Sequence, residues 1–158
     1  MELSEKTLDR MKTLTGLHGA PGFEDKVREY MKKELSEYAD EIIQDGLGGI
    51  FAVKKSTKEN APKVLVAAHM DEVGFMVTAL MDNGFIKFMP LGGWASDVLL
   101  SQRFSVRTSQ DEEITGVIGS VPVHFRRGGS KETKIEDMLL DVGADSKEEL
   151  LEMGINLG

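Results

Sequence analysis

The chain has 158 residues and a formal net charge of −8, with 41% apolar and 29% charged residues, a composition that fits one globular domain or two small ones. The acidic balance argues against a general nucleic-acid or anionic-membrane surface, since both need a basic patch. No cysteine is present, which excludes disulfides and thiolate chemistry and leaves His, Asp and Glu as the only strong ligands for a transition metal.

The opening stretch, MELSEKTLDRMKTL, is charged and amphipathic with no apolar signal core, and no run approaches a membrane span in length. A cytoplasmic location without membrane attachment is the expectation. Ser4 is placed to cap a first helix, and Leu3, Leu8, Met11, Leu14 and Leu17 form its apolar stripe, ending near Gly16. The turn LHGAPGFED contains Gly19, Pro21 and Gly22 as breakers, and His18 reads as a loop histidine there. A second helix is expected from about Phe23, with Glu24 and Asp25 in its first turn and Val27, Tyr30, Met31 and Leu35 on its buried face. Asp40 to Val53 reads as two short strands around Asp45-Gly46-Leu47-Gly48-Gly49. No Gly-Lys-Ser/Thr follows those glycines, so a tight strand connection is a better reading than a phosphate loop.

After the polar loop from Lys54 to Pro62 comes KVLVAAHMDEVGFMV, residues 63–77. An apolar run without alternation reads as a strand buried on both faces of an α/β sheet, and ligands gather beyond the carboxyl ends of such strands. His69 and Asp71 stand there. In extended chain, residues i and i+2 share a side, so Asp71 can reach the His69 ring, as a carboxylate holds a metal-bound imidazole. A hydrogen-bonded histidine without a metal is the competing reading of the same pair.

The texture then changes to short β-type segments at Gly74 to Leu80, Phe85 to Pro90, Arg103 to Thr108 and Thr115 to Val123. Asp82-Asn83-Gly84 is a hairpin turn. Gly92-Gly93-Trp94 and Ser109 to Glu112 mark further connections. Few helices are expected here, and a separate β domain, a small barrel in outline, fits the pattern. Phe125 to Lys134 is a basic, glycine-containing loop, Ile135 to Val142 a further strand, and Ser146 caps a last helix with Glu149 at the capping-box position.

Six stretches together resemble metallopeptidase family 42, the glutamyl and tetrahedral (TET) aminopeptidases. They are LTGLHGAPGFEDKVREYM, DGLGGIFAVKK, VLVAAHMDEVGFMV, GGWASDVLLSQRFSV, GVIGSVPVHF and EDMLLDVGADSKEELLEMGI, in the family's order and over nearly the whole chain. VLVAAHMDEVGFMV is the specific one. The resemblance implies an aminopeptidase acting on peptides with two bridged divalent ions, zinc or cobalt. It matches His69 to the first metal ligand and Asp71 to the acidic residue that orients it, the catalytic assignment carried here. It also implies the start of an α/β metallopeptidase domain over residues 1–69, then an inserted small β-barrel-like domain over 70–158 that makes a homo-oligomer. The family's bridging Asp, its Glu general base with an adjacent Glu ligand, a further acidic ligand and a final His have no match up to Gly158. One His and one Asp cannot hold two ions or supply a base, so weak metal binding and little or no activity are expected of this chain alone.

Two other readings compete. In one the chain is a non-catalytic assembly module, its β domain pairing with a copy of itself or docking on a full-length subunit. There the strand from residue 64, apolar on both faces, is exposed for want of neighbours. In the other it is a glucanase-like hydrolase, which needs paired carboxylates flanking a sugar bond. No pair is singled out by spacing. His124, after a proline in a β-type segment, reads as a strand-end histidine or one that approaches a neighbouring subunit's site.

Overall fold

The computed structural model describes residues 3–125 and 133–158. Its contacts divide the chain into two units, Met1–Glu72 and Val73–Gly158, and the secondary structure is mixed α/β.

In the first unit, helix α1 spans Glu5–Gly16 and helix α2 spans Asp25–Ser36. Ser4 caps α1 as expected, its Oγ accepting from the Thr7 amide at 3.2 Å. Burial departs from expectation. No residue of α1 is buried, and Val27 alone is buried in α2. The helices are joined instead by polar contacts. Arg10 forms an ion pair with Glu34, and the Tyr38 hydroxyl accepts from Lys6 Nζ at 3.4 Å and Arg10 Nη2 at 3.3 Å. These two cations hold the Tyr38 phenol below its ordinary pKa, Arg10 contributing most.

Strands β1 (Glu41–Gln44) and β2 (Ile50–Val53) pair antiparallel, with Ile43 opposite Phe51. The connection is a tight turn, as read. Asp45 Oδ1 accepts from the amides of Leu47 (2.9 Å) and Gly49 (2.8 Å), and Gly48 takes φ +90, where a side chain would be strained. Arg28 of α2 donates from Nε to the Gly48 carbonyl at 2.7 Å, fixing the turn to the helix.

The buried strand expected over the apolar run Val64 to Ala68 is the main correction. Residues 61–73 form no strand, and the next strand begins at Gly74, where a separate β segment was expected. Val64, Leu65 and Val66 are 83%, 79% and 91% exposed. A strand is held by its ladder, and none of the described strands pairs with 64–68. The apolar pattern calls for neighbours to bury against, and they are not among the described residues.

The second unit holds a five-stranded antiparallel sheet. Its strands are β3 (Gly74–Leu80), β4 (Phe85–Leu91), β5 (Arg103–Arg107), β6 (Glu113–Gly119) and β7 (Leu139–Asp141). The order is β3-β4-β7-β6-β5, so the last and shortest strand joins two earlier hairpins. Among the described residues no ladder links β5 back to β3. The sheet is curled, and its two ends approach through side chains rather than through hydrogen bonds. Its core includes Ile86, Leu99, Ile118, Met138, Leu150 and Ile155, each 2% exposed or less, and each such burial contributes about 1.5–3 kcal/mol.

Two further strands depart in extent from expectation. The strand read as Thr115 to Val123 begins at Glu113 and stops at Gly119. Pro122 has no amide hydrogen to extend a ladder, and its carbonyl accepts from Phe125 at 2.9 Å to close a 3-10 turn. The strand read as Ile135 to Val142 opens with another 3-10 turn, over Ile135–Asp137, which delivers Met138, 1% exposed, to the core. Most of the basic loop from Phe125 to Lys134 lies outside the described residues. Helix α3 (Lys147–Glu152) has the expected cap, with Ser146 Oγ accepting from the Glu149 amide at 3.2 Å. The Glu149 carboxylate accepts from the Asp145 amide at 2.8 Å, one residue before the usual capping-box partner.

Candidate metal-ligating site

The His69 ring is held by one residue. Its Nδ1 lies 2.9 Å from the Asp71 carbonyl oxygen and 3.2 Å from Asp71 Oδ1. A protonated Nδ1 donates to these two oxygens, which leaves Nε2 as the ring's coordinating nitrogen. The His69 side chain is 84% exposed, so the contact works in a water-like dielectric, and its value is orientation more than binding energy.

The segment carrying the pair is tied down from the loop between α1 and α2. The Glu72 amide donates to the Gly19 carbonyl at 2.8 Å, and the Gly19 amide donates to Glu72 Oε1 at 3.1 Å. Gly19 is buried. A Cβ there would stand 3.0 Å from Val27 Cγ2 and 3.3 Å from the Met70 carbonyl oxygen, so the absence of a side chain is what lets the two segments meet. Spacing along the chain gave no hint of this two-point contact, because its partners are 53 positions apart. Gly19 read only as a helix breaker, and its second role depends on what packs against it.

His18 is partly buried in the loop after α1. His124 is exposed in the 3-10 turn Val123–Phe125, not at a strand end. Among the described residues, no three His, Asp or Glu side chains gather as a metal site would require. His69 with Asp71 therefore fits one coordination position and its orienting carboxylate, and does not amount to a centre for two ions. No helix among the described residues is long and apolar enough to cross a membrane.

Comparison with known proteins gives a consistent set of similarities. The family profile described as M42 glutamyl aminopeptidase matches residues 48–158. The glutamyl aminopeptidase of Lactococcus lactis is 41% identical over 153 residues, which is 95% of this chain and 43% of that protein. Among solved structures, a TET aminopeptidase from a marine-sediment archaeon of the Thaumarchaeota is 39% identical with a TM-score of 0.91, over 98% of this chain and 43% of that one. The TET1 peptidase of Pyrococcus horikoshii, described as assembling into a tetrahedron or a large octahedral shell, is 30% identical with a TM-score of 0.80, over 95% of this chain and 44% of that one. The chain thus spans less than half the length of these relatives.

Proposed function

The chain belongs to the M42 glutamyl aminopeptidase family, and from that premise we propose that it carries the first metal ligand of a metal-dependent aminopeptidase and the device that orients it. The single observation behind this reading is the His69–Asp71 contact within the stretch VLVAAHMDEVGFMV. A carboxylate on Nδ1 fixes the tautomer and raises the basicity of the ring as a ligand. In the reaction proposed, hydrolysis of the bond after the N-terminal residue of a peptide, a divalent pair, zinc or cobalt, would supply the activation of the attacking water. His69 takes one coordination position, and Asp71 holds the ring and does not itself take the water's proton. In this reading residues 1–69 are the start of the peptidase domain and 70–158 the inserted β domain, through which copies assemble. The assemblies described for the Pyrococcus horikoshii relative support homo-oligomer formation as such.

A second reading is favoured by the same site's incompleteness. With no group of three His, Asp or Glu side chains that could hold a metal among the described residues, the chain by itself serves as an assembly module and has little or no peptidase activity.

Metal stoichiometry separates the two. Purified chain is equilibrated with zinc or cobalt, desalted and analysed for metal, then offered aminoacyl-p-nitroanilides. Two retained ions per chain with release of nitroaniline support the catalytic reading. No retained metal and no release leave the assembly reading.

A further inference from the structure

We propose that Glu72 is a positioning residue, a two-point clamp on Gly19 that holds the His69–Asp71 segment in its ligand-presenting geometry; this rests on the reading of His69 as a metal ligand.

The segment needs such a device. Among the described residues, 61–73 have no strand ladder, and Val64, Leu65 and Val66 face water, so neither sheet hydrogen bonds nor burial among them fixes the path of the chain up to His69. Three residues beyond it, Glu72 engages both backbone polar groups of Gly19. Its amide donates to the carbonyl, and its carboxylate accepts from the amide. Two hydrogen bonds to one residue fix orientation as well as distance, and the bond to the carboxylate is charge-assisted. Gly19 is a firm anchor because it is buried against Val27 of α2. The Met70 carbonyl lies close enough that a Cβ on Gly19 would press on it at 3.3 Å, so the anchor also borders the peptide that joins Met70 to Asp71. Asp71, between Met70 and Glu72, contacts the imidazole through both its carbonyl and its carboxylate. The chain of contacts therefore runs from α2 through Gly19 and Glu72 to Asp71 and the ring. Among the described residues the His69 ring bonds to Asp71 and Glu72 bonds to Gly19, so Glu72 acts through the backbone.

Glutamate to glutamine is the informative substitution, because the amide oxygen still accepts from Gly19 while the charge is lost. The test uses the full 158-residue chain labelled with nitrogen-15 and two readouts. The first, without metal, is the heteronuclear NOE of the Met70 and Asp71 amides. The second is the apparent zinc affinity from the His69 ring signals, assigned with His69→Ala. Glu72→Ala is expected to lower both NOEs to loop values and weaken zinc binding about tenfold, as loss of a partner behind a ligand does. Glu72→Gln is expected to keep the NOEs within error and most of the affinity. Amides of α2 and of the second unit serve as the folding control. The clamp is overturned if Glu72→Ala leaves Met70 and Asp71 as ordered as in the parent. Zinc that does not move the wild-type ring signals removes the ligand reading of His69 instead, and the clamp is then decided by the NOEs alone.

Discussion

Phe75 on β3 and Phe104 on β5 meet edge to face with ring centroids 5.1 Å apart, although their strands are the two ends of the five-stranded sheet. Trp94 completes the cluster, stacked on Phe75 at 4.7 Å and donating from Nε1 to the Gly74 carbonyl at 3.0 Å. Side chains thus draw together edges that no ladder joins, which is what curls the sheet. Phe104→Ala should destabilise the second unit by about 3 kcal/mol through lost burial and lost ring contacts. Urea unfolding followed at Trp94, the chain's one tryptophan, reads this directly. An unchanged midpoint would show that the sheet curls without the aromatic cluster.

Two glycines of the second unit share a backbone region but not a neighbourhood. Gly84 (φ +79) and Gly143 (φ +84) both lie where side chains are strained. A Cβ on Gly84 would also fall 1.9 Å from the Ala144 carbonyl oxygen, whereas one on Gly143 would meet nothing within 4 Å. Gly143→Ala is expected to cost about 1 kcal/mol, the conformational part alone. Gly84→Ala must move backbone and should cost well beyond that. Equal losses in the same urea experiment would contradict the close approach at the hairpin.

How far the sequence could be read depended on the range of each contact. Capping by Ser4 and Ser146, the Asp45 turn and the Asp82-Asn83-Gly84 hairpin are local, so residue type at a fixed offset was enough to place them. His69 and Asp71 are two positions apart, and their approach was legible for the same reason. The Gly19–Glu72 clamp, the insertion of β7 between β4 and β6, and the meeting of Phe75 with Phe104 are long-range, and no periodicity announces them. The apolar run from Val64 failed in another way. Its pattern says what the segment would bury against, and burial needs neighbours that the described residues do not provide.

That failure has a measurable consequence. Val66 is 91% exposed, while Val106 on β5 is 8% exposed. Val66→Lys should therefore change stability by no more than about 0.5 kcal/mol, and by breaking an exposed apolar row it should raise solubility. Val106→Lys places a charge in the core and is expected to unfold the second unit. Calorimetry of both variants gives the contrast. A large loss from Val66→Lys would mean that the segment is buried in solution.

Acid stability of the first unit should depend on Asp40. Lys54 Nζ donates to its Oδ1 at 2.8 Å and the Lys55 amide to its Oδ2 at 2.6 Å, and these bonds, the Lys54 one foremost, hold its carboxyl below the ordinary value. The residue matters to the fold because its own amide donates to the Val53 carbonyl at 2.8 Å, at the entry to the β1–β2 hairpin. A folded-state pKa below the unfolded one means that the fold prefers the ionised form. The contribution is complete above the unfolded carboxylate pKa and is lost as pH falls through the lower, folded value. The group is exposed, so added salt should bring its titration back toward the ordinary range. Carbon-13 NMR of the side-chain carboxyl should show Asp40 titrating low in the parent and higher in Lys54→Met, while Asp40→Asn flattens the acid limb of the first unit's stability curve. An Asp40 carboxyl that titrates at the ordinary value in the parent, at low salt, would mean that the Lys54 and Lys55 contacts do not persist in solution.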